Sequence, residues 1–259
     1  MPNNPFDKFL DLLVEGIYNG EITDVDLPEG LYLAIADYLK RGLYKGFEYT
    51  IDDVPPEDLS LLTELRENIY MFSGAKTYQQ VREMTDHLTD SEGNVRSFAQ
   101  FKELVKGTFE LYNDTWLRTE YETAIGQAQS AAKWSKIERD KDVLPLLQYN
   151  AVGDENTCDI CGPLNGIIAP VGDPIWGKIA PINHYNCRCL LEQLDKGKVT
   201  GDRGPIVDGV LEKMNPIWQF NPGKEGVVFS EKHPYFSVPK GVVKLAQENF
   251  NLPIPETDR

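Results

Sequence analysis

Five metal-binding side chains crowded into one short stretch constrain this chain more than any other feature. All four cysteines, Cys158, Cys161, Cys187 and Cys189, and one of the three histidines, His184, are written as C-x2-C, a 22-residue interval, then H-x2-C-x-C. Thiolates and an imidazole at these spacings are the donor set of a tetrahedral zinc site, and filling one obliges two loop segments to converge. Five candidates compete for four places. The first choice is Cys158, Cys161, His184 and Cys187, with Cys189 as the substitute; an all-cysteine site omitting His184 is the next. If residues 187–189 are extended, Cys187 and Cys189 face one side and Arg188 the other, because strand side chains alternate. Free thiols or disulfides are the competing states of the same residues. Four protein ligands leave no open position for water, so the expected zinc is structural and not catalytic. It would join two loops that bury little apolar surface, with about 10 kcal/mol or more at stake on the scale of zinc-finger peptides.

Charge narrows the partners. The net charge is -15, and the excess lies early: residues 1–100 carry 19 Asp and Glu against 8 Lys and Arg, and the remainder 22 against 18. A surface of that sign repels phosphate backbones and disfavours nucleic-acid contact, while leaving an acidic N-terminal face that suits solvent or a basic partner. Asp7, Asp11 and Glu15 interrupt the apolar run that a secretory signal needs, and no stretch of about 20 apolar residues is present to span a bilayer. The expectation is folding in a reducing cytosol with no membrane partner, where clustered cysteines favour metal over disulfides.

Hydrophobic periodicity divides the chain. Phe6, Phe9, Leu10, Leu13, Val14 and Ile17 recur at helical spacing up to Gly20. Leu31, Ile35, Tyr38, Leu39 and Leu43 repeat the pattern after Pro28 and before Gly46. Leu59, Leu62, Leu65, Ile69 and Phe72 predict a third helix stopping near Gly74, and Thr77 with Gln80 reads as a capping box opening another through about Leu88. Ser97 with Gln100 is a second capping box. It opens the longest run, Phe98, Phe101, Val105, Phe109, Tyr112 and Trp116 continuing through Ala124, Ala128 and Ala131 to Trp134, a helix of about 50 Å at about 1.5 Å per residue. From Leu146 glycine, proline and asparagine become frequent; Tyr149–Val152 and Gly166–Pro170 read as short strands, and Leu190, Leu191 and Leu194 either continue a strand or begin a turn of helix. The predicted class is α+β: a helical region over 1–145 with a long central helix, a small zinc-knuckle domain of short strands over 146–198, and an extended, wrapping tail over 199–259.

Catalytic signatures are missing from the sequence: it has no H-x-E upstream of the cysteine pair, no H-E-x-x-H, no G-x-S-x-G and no G-x4-G-K-[ST]. His87 falls in a helical pattern and His233 in the tail, so each reads as packing or surface. Four stretches together resemble the phage Mu protein F-like family of head morphogenesis, or minor capsid, proteins. They are Arg118-Thr119-Glu120 through Ala124, Ala128 and Trp134; Thr157 to Gly166 with its C-x2-C; Asp173-Pro174-Ile175-Trp176 with Pro181; and His184-x2-Cys187-Arg188-Cys189. Phe220-Asn221-Pro222-Gly223 and His233-Pro234-Tyr235-Phe236 extend the likeness into the tail. The resemblance implies a non-enzymatic structural role: a low-copy component of the virion head at the portal vertex, built into the procapsid in the host cytoplasm and in some members ejected with the DNA. The partners it implies are the portal protein, other head proteins and further copies of the chain around the portal. The rival from another class is a zinc-dependent hydrolase or nuclease acting on DNA or a capsid component.

Overall fold

The structure is a computed structural model that describes residues 5–23, 25–155 and 157–256; the outermost residues of the predicted first and last regions lie outside it. The fold is α+β, with helices first and a small antiparallel sheet later. The early helices are α1 (Lys8–Tyr18), α2 (Glu29–Phe47), α3 (Leu59–Asp86), α4 (Phe98–Glu110) and α5 (Leu117–Asp140). Between α4 and α5 the chain passes without a break through a π-helical turn, Leu111–Trp116, so the long central helix expected from the aromatic stripe is present. Its start is the predicted capping box: the Ser97 hydroxyl accepts from the Gln100 backbone N–H, and the Gln100 side chain accepts from the Ser97 N–H in return.

Two helix boundaries differ from the sequence reading, both at glycines. Residues 59–86 form one helix where two were expected, and Gly74 lies inside it because a Cβ there would meet the Asn249 side chain. Thr77 does not cap; its hydroxyl donates back to the Ser73 carbonyl within the same helix, at 2.8 Å. Gly46 likewise sits inside α2, where a Cβ would meet the Ile125 carbonyl oxygen and lie 2.8 Å from the Ala128 Cβ on α5. The helix ends just beyond, at Glu48, with φ 70°. Glycine at 46 therefore serves close approach of two helix backbones. Gly46→Ala is expected to lower stability by about 1–3 kcal/mol or more, since the obstacle is rigid backbone, and a urea melt checks it.

The residues divide into two compact units that interleave along the chain. One comprises residues 1–41, 69–121 and 233–259, the other 42–68 and 122–232. In the first, α1 lies against α4, with Tyr18 edge-on to Phe98 and Lys102 paired with Asp11 at 2.9 Å. Its centre also holds a buried polar group. Lys76 Nζ lies 3.0 and 2.9 Å from the two carboxylate oxygens of Glu120, and the Tyr235 hydroxyl donates to Glu120 Oε1 at 2.9 Å. The contact at Oε2 is close enough for an ion pair but is not a directed hydrogen bond. Burial pulls the Lys76 pKa down and Glu120 opposes that fall.

The second unit contains the sheet: β1 (Leu146–Asn150), β2 (Ile168–Pro170) and, after the short α6 (Trp176–Ile179), β3 (Leu190–Leu194). β1 is the middle strand and pairs antiparallel with both neighbours. Its alternation buries Leu147 and Tyr149 and turns Leu146, Gln148 and Asn150 outward. Those two residues join Trp134, Ile137, Leu164, Ala169, Trp176 and Leu191 in one core. The stretch from residue 199 contributes α7 (Gly204–Lys213), whose Val207 and Val210 enter that core, followed by turns and the short α8 (Pro222–Glu225); the short α9 (Val243–Gln247) belongs to the first unit.

Candidate metal centre

Strand pairing brings the two cysteine segments together. The C-x2-C turn lies in the loop between β1 and β2, and the C-x-C run leads directly into β3. Because Asn150 at the end of β1 is the register partner of Leu190 at the start of β3, the chain leaving β1 and the chain entering β3 meet at one end of the sheet. Each loop is then fixed locally. The Gly162 N–H donates to the Cys158 carbonyl at 2.9 Å and the Cys161 N–H to the Cys158 sulfur at 3.4 Å, which tightens the knuckle. Arg188, between the two later cysteines, turns outward and donates two parallel hydrogen bonds to Asp154 at 2.8 and 2.9 Å, tying the segments across their rim.

All five predicted ligands arrive in this region, as two overlapping groups. Cys158, Cys161 and His184 have ligand atoms within 4.8 Å of one another, and so do Cys161, Cys187 and Cys189. Cys161 is the shared member and the deepest of the cysteines, 1% exposed. Its sulfur lies 3.8 Å from that of Cys187. A tetrahedron with metal–sulfur spokes of about 2.3 Å has edges of about 3.8 Å, so this pair is already at coordination spacing. His184 Nδ1 lies 2.8 Å from the Tyr185 carbonyl oxygen, and a proton donated there leaves Nε2 with the lone pair a metal needs.

The electrostatics of the sulfurs fit a cation. The Cys161 thiol is pushed far up, because the Cys187 and Cys189 sulfurs hydrogen-bond to it and burial adds to the effect. Cys189 is pulled well down by hydrogen bonds from Cys161 and then Cys187. Three sulfurs at this range hold one negative charge easily and a second at high cost; a divalent cation removes that cost. The donor set of thiolates and one imidazole suits zinc. A cleft of about 240 Å³, walled by Trp134, Ile137, Ile182 and Leu191, opens onto Cys187 and Cys189 and gives an ion a path to the cluster.

Two supporting residues, Tyr149 and Asn183, were not among the predicted site residues. The Tyr149 hydroxyl reaches the Cys161 sulfur at 3.3 Å, and Asn183 Nδ2 donates to that hydroxyl at 2.9 Å. Neither carries a spacing signal in the sequence. The one available hint was that Asn183 directly precedes His184.

Residues 68–192 match the family described as phage Mu protein F like protein, a span that contains all five candidate ligands. Over that segment the chain is similar to the phage Mu protein F-like family. The Mu-like prophage FluMu F protein of Haemophilus influenzae is 35% identical over 104 residues, covering 39% of this chain and 25% of that protein. A protein of Escherichia phage Mu, provisionally named capsid assembly protein F, is 26% identical over 112 residues, covering 43% of this chain and 23% of its own length. The chain thus spans about a quarter of the length of these curated relatives. No solved structure matches it. Among the described residues, no helix is long and apolar enough to cross a membrane.

Proposed function

We propose that this phage Mu protein F-like chain is a structural component of a phage head, acting at the portal vertex during procapsid assembly, with zinc closing its cysteine knuckle. The observation that carries the head assignment is the matched segment 68–192, which includes both halves of the ligand pattern, together with the capsid-assembly name of the phage Mu relative. Zinc would be held by Cys158, Cys161, His184 and Cys187, with Cys189 as the substitute, and would cross-link two loops without leaving a coordination position for chemistry. The role is therefore non-enzymatic. The acidic helical residues 1–145 serve as the docking region for the portal and other head proteins, residues 146–198 form the knuckle, and 199–259 form the tail, of which 199–232 wraps the knuckle. Copies arranged around the portal, assembly in the host cytoplasm and residence in the virion follow from the same reading. The net charge of -15 weighs against DNA as the principal partner.

Virions and the purified portal protein test this. The chain is expected in intact particles at low copy, localised to one vertex by antibody-gold electron microscopy, and retained by immobilised portal. Absence from particles together with failure to bind the portal contradicts the assignment. A hydrolase would instead turn over DNA or a capsid protein and lose that activity on chelation while its fold stayed intact.

A further inference from the structure

The cysteine at which both halves of the cluster meet is contacted by a residue that is not a ligand. Tyr149 projects from the middle strand into the core, fully buried, with its hydroxyl 3.3 Å from the Cys161 sulfur. That hydroxyl oxygen accepts from Asn183 Nδ2 at 2.9 Å. The amide cannot be turned over, because Nδ2 also donates to the Ile179 carbonyl at 3.2 Å, and the reversed amide would set oxygen against oxygen. With its oxygen occupied by an incoming N–H, the tyrosine has one proton to place, and the Cys161 sulfur is the partner it faces. The Cys161 sulfur lies in turn 3.8 Å from that of Cys187. Asn183 therefore reaches, through Tyr149, the sulfur at which the two halves meet.

We propose that Asn183 and Tyr149 form a hydrogen-bond relay that positions the Cys161 thiolate, where the C-x2-C and C-x-C segments meet, for a divalent metal ion. This rests on the metal reading of the site. Two physical effects make such positioning count. A donated O–H or N–H stabilises a buried thiolate that water cannot reach, and a sulfur already held in its ligating rotamer loses less freedom when the ion arrives. Asn183 is also fully buried with its Oδ1 lacking a hydrogen-bond partner among the described residues. A residue kept there for packing alone would be better replaced by an apolar one, so the cost argues for the two donors.

The test uses the full chain and zinc itself. Affinity is measured by competition with a chromophoric chelator, and the thermal midpoint of each variant is taken separately in excess chelator, which isolates the metal-free state. Tyr149→Phe removes one oxygen and keeps the ring. The relay predicts zinc affinity about 10–100-fold weaker with the metal-free midpoint at its wild-type value. A merely structural hydroxyl predicts the opposite split, a lower metal-free midpoint and unchanged affinity, and that result overturns the proposal. Equal affinity and equal midpoint overturn it as well. If Tyr149→Phe does not fold, Asn183→Leu is judged by the same two readouts. Wild-type protein that takes up no zinc ends the metal reading and the relay together, whereas tight wild-type binding unaffected in both variants ends the relay alone.

Discussion

Cys161→Ser should abolish zinc binding and leave the loops 157–163 and 183–189 exchanging amide hydrogens as if unfolded, while α1, α4 and the part of α3 from Ile69 onward keep their protection. Cys161 is the residue at which both ligand groups meet, so its loss cannot be made good by a neighbour. Cys187 and Cys189 can partly replace one another, being two residues apart and both close to Cys161. Cys189→Ser is accordingly expected to retain zinc with modest weakening, and Cys187→Ser to weaken it more. The size of the Cys161 effect follows from what holds the segment. The ligand-bearing loops 157–163 and 183–189 place few apolar side chains in the core, which draws instead on Leu164, Ile167, Ala169 and Trp176 between them. A structural zinc worth about 10 kcal/mol or more therefore supplies most of the free energy that orders these two loops. Hydrogen exchange read by mass spectrometry, with and without chelator, resolves the loops from the helices. Zinc-replete Cys161→Ser with wild-type protection over 157–163 and 183–189 would contradict this account of the site.

The second large effect lies in the other compact unit. Glu120→Gln should cost about 3–5 kcal/mol of stability, because it leaves the Lys76 ammonium, 0% exposed, without its counter-charge. Tyr235 and the faces of Tyr112 and Tyr235, whose ring centres lie 5.2 and 5.1 Å from Nζ, remain but cannot replace a carboxylate. Removing both charges, as Lys76→Met with Glu120→Leu, should recover most of the loss, since an apolar pair of similar volume has no desolvation to offset. Urea unfolding of the wild type and these two variants gives the comparison. A single substitution costing under about 1 kcal/mol would show that the pair is solvated in a way the structure does not describe.

These two sites differ in how much of them the sequence discloses. Ligand spacing is a local requirement: C-x2-C must bend into a knuckle whatever surrounds it, so the five candidates could be read without a fold. The choice between Cys187 and Cys189 is not local. It depends on the register that sets Asn150 opposite Leu190, which no spacing encodes. The same holds for Tyr149, legible as a strand residue and silent about its sulfur partner. Lys76, Glu120 and Tyr235 are separated by 44 and 115 residues, and a lysine in a helical stripe gives no sign that it will be buried. The long helices were legible because their periodicity is repeated over many residues; the strands are too short for that, so the first, expected at 149–152, lies at Leu146–Asn150, and the third stood open between strand and helical turn. Gly46 and Gly74 misled for a physical reason: a glycine reads as a stop from local propensity, but here each makes room for a distant segment, Ile125 in one case and Asn249 in the other.

Metal content of the purified full chain bears most directly on the central claim that the knuckle is a closed, zinc-bound fastener. One zinc per chain is expected to survive gel filtration, with a cobalt-substituted form whose spectrum is tetrahedral and thiolate-rich and with the bound thiols shielded from alkylation until a chelator is added. Protein that carries no zinc, and whose four cysteines alkylate freely without loss of structure, would contradict it.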